Sequence, residues 1–174
     1  MFKKMNILEL FLKEPNKEFN VREVAKILKK APATASKKLK ELEKEGLLKQ
    51  RDFRMLKLFQ ANLDSEKLRD YKIFYNIRKI KESILIDELN KFYLKPTIVL
   101  FGSLSKGYDV KESDIDLLII SENKKEFPNL KKIQKELGKE IQLFVVKSVK
   151  NLKNEHLINN VLNGITLQGS VKWI

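Results

Sequence analysis

Apolar positions in the first 62 residues recur first at helical and then at strand spacing. Met5, Ile7, Leu8, Leu10, Phe11 and Leu12 predict a helix closed by Pro15. Asn20 followed by Glu23 has the form of a capping box, and Val21, Val24, Ala25 and Leu28 make the apolar stripe of a second helix. Pro32 suits the first position of a third, in which Ala35, Leu39 and Leu42 turn inward and Gly46 supplies the left-handed stop. Two short strands follow, Leu47 to Gln50 and Met55 to Gln60, around Arg51-Asp52-Phe53-Arg54.

Residues 64–91 contain neither Gly nor Pro. Leu68, Tyr71, Tyr75, Ile77, Ile80, Ile84, Leu85, Leu89 and Phe92 recur at mixed three- and four-residue steps, which predicts one long connecting helix of about 42 Å. Its apolar face is a candidate homodimer surface. From Pro96 the period changes. Short apolar runs at 97–101, 117–120 and 141–146 predict strands. Helices are expected near 129–137 and 151–162, and a last strand at 165–167. The expected organisation is 1–62, 63–95 and 96–174, of class α+β.

Composition narrows the chemistry. The chain has no cysteine and a single histidine, His156, so disulfide scaffolds, thiol nucleophiles and multi-His metal sites are excluded. His156 reads as a surface residue. No uncharged apolar run approaches the roughly 18 residues of a membrane span. Charged residues interrupt the N-terminal apolar stretch where a signal peptide would need continuity, so a mature cytoplasmic protein without membrane contact is expected. The net charge is +13, and residues 1–62 carry 16 Lys and Arg against 8 Asp and Glu. That concentration favours a polyanionic partner. The lysines at 124, 125, 131, 132 and 135 read as a solvated face.

The segment VREVAKILKKAPATASKKLKELEKEGLLKQ resembles the winged helix-turn-helix of prokaryotic transcription regulators. The resemblance implies duplex DNA as partner and the helix from Pro32 as the recognition helix. Thr34, Ser36, Lys37 and Lys38 would then meet the groove and its phosphates, with Arg51 and Arg54 on the wing.

The densest candidate chemistry is FGSLSKGYDVKESDIDLLII, residues 101–120. A strand ends in Gly102-Ser103, where a glycine permits close backbone approach and a hydroxyl with free N–H groups can meet phosphate oxygens. Ten residues separate Ser103 from Asp114. Asp114 and Asp116 share one face at the start of a strand, about 6.7 Å apart along it, and can ligate one Mg²⁺ through oxygen. The loop Lys106-Gly107-Tyr108-Asp109 is suited to bending over a ligand. Asp109 and Glu112 read as solvated carboxylates.

The pattern Gly-Ser, ten residues, Asp-x-Asp resembles the signature of the DNA polymerase beta-like nucleotidyltransferases, small stand-alone members in particular. The C-terminal LINNVLNGITLQG resembles their helix–Gly–strand finish. The resemblance implies a mixed sheet flanked by helices, Mg²⁺ held by Asp114 and Asp116, and a nucleoside triphosphate, ATP by expectation, held by Gly102, Ser103 and Lys106. It also implies transfer of a nucleoside monophosphate to a hydroxyl with pyrophosphate leaving. The third carboxylate of that pattern falls at Gln142, with Glu140 one pleat earlier as the substitute base. Two functions stay open: a DNA-binding transferase, and a DNA-binding regulator or antitoxin-like protein whose transferase domain binds nucleotide or a partner such as a toxin with weak catalysis.

Overall fold

The computed structural model describes residues 2–172. The side chain of Met5 and residues 173–174 of the C-terminal assignment lie outside the described residues. The chain divides into two compact units, Met1–Lys72 and Ile73–Ile174, so segment 63–95 is shared between them.

In the first unit, α1 (Phe2–Lys13) precedes a two-residue strand β1 (Phe19–Asn20), which the sequence pattern did not signal. The Asn20 side chain accepts from the Glu23 N–H, and the Glu23 carboxylate accepts from the Asn20 N–H. This capping box starts α2 (Val21–Leu28) at the expected residue. Pro32 opens α3 (Pro32–Lys44), whose Ala35, Leu39 and Leu42 are buried. Gly46, at φ +74°, turns the chain into β2 (Leu48–Phe53) and β3 (Leu56–Ala61). β2 runs three residues further than expected, to Phe53, and β3 is shifted by one residue at equal length. Pairing runs from Leu48↔Ala61 to Phe53↔Leu56, which leaves Arg51 within β2 and only Arg54-Met55 at the turn. The sheet is antiparallel, in order β1-β3-β2. Leu8, Phe11, Leu12, Phe19, Val24, Leu48 and Phe59 are buried, and Phe11 meets Phe19 edge-on at 5.3 Å.

The long helix expected over 64–91 is two helices, α4 (Glu66–Glu82) and α5 (Leu85–Tyr93). The Ser83 hydroxyl donates to the Ile80 carbonyl at 2.7 Å and accepts from the Leu85 N–H. A serine that engages neighbouring backbone groups in this way competes with the helical ladder. Leu68, Ile80, Leu85 and Leu89 are wholly buried, so much of the apolar pattern in this segment marks interior positions.

The second unit is built on a mixed four-stranded sheet in order β6-β5-β4-β7: β4 (Thr97–Phe101), β5 (Ile115–Ile120), β6 (Ile141–Val146) and β7 (Ile165–Gln168). β4 is antiparallel to β5 and β7, whereas β5 and β6 run parallel. One face carries Ile98, Leu100, Leu117 and Ile119 against Ile80, Leu85, Leu89 and Ile133, the last on α7 (Leu130–Leu137). The other carries Val99, Phe101, Leu118 and Phe144 against Val149 and against Val161 of α8 (Glu155–Leu162). Strands covered on both faces need unbroken apolar runs, which is why TIVLF and IDLLII lack alternation. The expected helix at 151–162 starts later, at Glu155, after a 3₁₀ turn at Val149–Asn151. Between β4 and β5 the chain forms a short helix, α6 (Gly102–Lys106), where an irregular turn was expected.

Candidate functional site

The buried run of β4 delivers Gly102 to the end of the sheet. There Phe101 is the cross-strand partner of Asp116. Gly102 has φ +72°, and a β-carbon on it would lie 2.1 Å from Oδ2 of Asp116. Only glycine therefore fits, on both backbone and steric grounds. The Asp116 carboxylate rests against this bare backbone. Burial pushes its pKa up, and the charge of Asp114 adds to the shift. Asp114 lies two residues earlier, just before β5. On the far side of β5, Gln142 is the cross-strand partner of Asp116, and its amide nitrogen donates to Oδ2 of Asp114 at 2.8 Å. Gly102, Asp114, Asp116 and Gln142 thus meet at one end of the sheet.

Ser103 and Lys106 lie on α6. The Ser103 carbonyl accepts from the N–H groups of Gly107 and Tyr108, which closes this short helix. The Lys106 ammonium donates to Oδ1 of Asn160 on α8 at 3.2 Å. Asn160, 54 positions further along the chain, is a site neighbour that no sequence signal marked.

Two more such neighbours hold the loop before Asp114. Lys139 donates to the carbonyls of Val110 at 3.1 Å, Lys111 at 2.9 Å and Ser113 at 2.9 Å. Burial lowers its pKa, opposed by the charges of Asp109, Glu112 and Asp114. Asp109 corrects an expectation. It is 4% exposed rather than solvated, and it accepts from the Asn76 amide at 2.8 Å. Asn76 also donates to the Leu104 carbonyl at 3.1 Å. The segment expected to bend over a ligand is therefore tied down on both sides of Tyr108. Glu112 and His156 are exposed, as expected.

The Glu140 carbonyl accepts from the Ile115 N–H at 2.9 Å, between the two aspartates, but its side chain is engaged elsewhere. Its carboxylate accepts from the Gln134 amide of α7. Among the described residues no group of three or more Asp, Glu, His or Cys is placed to hold a metal ion.

In the first unit, Thr34 and Lys37 are exposed on α3, with Ser36 and Lys38 half-buried on its flanks. Lys38 pairs with Glu41 at 2.6 Å. Arg51 grips Glu18 through both ends of its guanidinium, and that bond holds the Glu18 carboxyl below its usual range. Arg51 and Arg54 both lie over the Phe53 ring, at 5.2 and 5.4 Å.

Comparison with curated proteins returns no match. Among solved structures, a chain from a crystal structure of a toxin-antitoxin with AMP-PNP is similar, with 25% identity and a TM-score of 0.42. The likeness spans 55% of this chain and 74% of that one. The family model of the nucleotidyltransferase domain matches residues 77–166, just over half of the chain, and that stretch contains Gly102, both aspartates and the whole of β4, β5 and β6. With that match over the segment that forms the site, the chain belongs to the nucleotidyltransferase-domain family.

Proposed function

We propose that the second unit binds a Mg-nucleoside triphosphate and transfers its nucleoside monophosphate to a hydroxyl acceptor. The observation that carries this is the Asp116 carboxylate seated against Gly102, with Asp114 on the same strand face. The two carboxylates fit a hard divalent cation. Both offer oxygen donors, and the mutual charge and burial that raise the Asp116 pKa are what a bound cation would relieve. When bound, Mg²⁺ neutralises phosphate charge and polarises the reacting phosphoryl group. Asp114 and Asp116 would hold it. The Ser103 hydroxyl and Lys106 ammonium would meet the triphosphate, and the absent side chain of Gly102 would let the chain approach closely. The acceptor oxygen bonds to the α-phosphorus as the bond to pyrophosphate breaks, and the acceptor's proton passes to water.

The first test is thermal. At about 100 times its Kd, Mg-ATP is expected to stabilise the protein by about 2.7 kcal/mol, seen as a raised Tm, with no such gain when Mg²⁺ is chelated. Gly102→Ala should remove the gain, because the new methyl group displaces Asp116. A nucleotide-dependent Tm shift equal in the two proteins would contradict the assignment.

A specific observation favours a second reading, a domain that binds nucleotide and turns over slowly. The side chain of β6 facing the aspartates is Gln142, whose amide has no basic site for the acceptor's proton at neutral pH. The one nearby carboxylate on β6's leading edge, Glu140, is engaged by Gln134.

For the first unit we propose a winged helix-turn-helix that binds duplex DNA through α3 and the β2–β3 turn. The helix order, the hairpin and the excess of positive charge over 1–62 support it. Lys37 carries more of the contact than Lys38, whose charge is shared with Glu41. In band-shift assays Lys37→Glu should weaken binding more than Lys38→Glu, on every sequence tried. Each lost phosphate contact should lower the salt slope by about 0.9. Absence of any binding at low salt would mark the unit as a protein-interaction module.

A further inference from the structure

The two edges of the second unit's sheet are built differently. β7 is four residues long, and its pairing with β4 slips between Ile98 and Val99. Short length and irregular register are how a sheet blunts an edge against other strands. β6 carries no such device. Its six residues, IQLFVV, pair with β5 in unbroken register and include no charge, proline or glycine, in a chain of which 34% is charged. Among the described residues no strand flanks its outer side. Gln142 is exposed and Leu143 to Val146 are half-buried, whereas Ile98 to Phe101 of the central β4 are buried.

The backbone groups left open on this edge follow from the pairing. The Ile115 N–H donates to the Glu140 carbonyl and the Ser121 N–H to the Val146 carbonyl, both at 2.9 Å. With the parallel register between them, the even-numbered residues of β6 direct their backbone groups to β5, and Ile141, Leu143 and Val145 direct theirs outward. Opposed residues of an antiparallel pair exchange both bonds. A second β6 laid antiparallel, with Leu143 opposite its own copy and Ile141 opposite the partner's Val145, therefore satisfies the outward groups of all three residues on both strands. Side chains agree with this register. Ile141, Leu143 and Val145 share one face and meet only one another. Lys139 and Lys147, just beyond the strand, are engaged within their own subunit, by the 110–113 carbonyls and by Glu122 at 2.6 Å. We propose that β6 pairs antiparallel with β6 of a second copy of this chain, which joins two sheets into one across a two-fold axis at Leu143. A second copy is the occupant because the edge is its own complement: the open groups are in phase, apolar side chains face apolar side chains, and neither strand brings a charge. On the other face Gln142 then lies opposite the partner's Phe144, so each aspartate pair borders the neighbouring subunit.

Light scattering of the full chain over a range of concentrations tests this. A dimer is expected for wild type and a monomer for Leu143→Pro, which deletes an N–H that faces away from β5 and leaves the β5 ladder intact. Because the chain has no cysteine, single-cysteine variants report the register. Leu143→Cys should oxidise to a disulfide-linked dimer, since opposed residues lie about 5.5 Å apart at Cα, within disulfide reach. Val145→Cys should not, because its copy lies roughly 14 Å away along the strand. If Leu143→Pro misfolds, the two cysteine variants decide alone. Wild type that stays monomeric at every concentration would overturn the proposal and leave the edge to a strand of another protein. So would a dimer whose mass Leu143→Pro leaves unchanged, or one in which Leu143→Cys stays reduced or cross-links no better than Val145→Cys.

Discussion

Replacing Gln142 by Asp should raise the rate of nucleotidyl transfer by about 10²- to 10⁴-fold, the usual contribution of a positioned general base. Gln142 adjoins both aspartates. It is the cross-strand partner of Asp116, and its amide reaches the Asp114 carboxylate at 2.8 Å. What it lacks is a site for the acceptor's proton. The substitution supplies one, together with a third oxygen donor for the cation. Gln142→Glu keeps the length of the native side chain and should act in the same direction. Both variants set a third negative charge beside Asp114 and Asp116, where burial and charge already raise the Asp116 pKa. Without divalent cation they should therefore melt below wild type, and added Mg²⁺ should recover the difference. The assay follows label from an α-labelled nucleoside triphosphate into protein or oligonucleotide. If neither variant changes the rate while Glu140→Gln abolishes it, the base is Glu140, and Glu140 must leave Gln134 during turnover.

Much of this geometry is legible in the chain because it is local. The capping pair Asn20 and Glu23, the proline that opens α3, and the Gly102-Ser103 break after an apolar run each act within a few residues. The period-two rule sets Asp114 and Asp116 on one face without knowledge of the rest of the sheet. The bounds of β4 follow from its continuous apolar run, since a central strand covered on both faces admits few polar residues.

The misses arise from distance along the chain. The cross-strand hydrogen bond from Gln142 to Asp114 spans 28 positions, and no local pattern signals it. Lys139 belongs to a lysine-rich stretch in which its sequence context matches that of the exposed Lys131 and Lys135. Only the fold turns it onto the 110–113 loop. Asp109 reads as solvated in the sequence because its partner, Asn76, is 33 residues upstream in a helix. The segment 64–91 breaks into two helices for a local reason instead. With no Gly or Pro in 64–91, the break depends on one serine hydroxyl that engages the backbone on both sides. The propensity of the surrounding residues outweighs that signal on paper.

The second large effect is loss of nucleotide binding when both carboxylates are neutralised. Asp114→Asn/Asp116→Asn preserves shape, and asparagine can still accept the Gln142 amide. It removes the two negative charges that a divalent cation requires. Contacts to charged groups are worth about 1.5–3 kcal/mol each, so loss of the pair should weaken Mg-ATP binding by at least about 100-fold. Removing mutual repulsion beneath Gly102 should leave the apo protein as stable as wild type or slightly more so. Calorimetric titration of wild type and the double variant with ATP, in Mg²⁺ and in chelator, measures this directly. The account predicts Mg-dependent binding by wild type and none by the double variant at the same concentrations. Equal Mg-dependent affinity in the two proteins would contradict it.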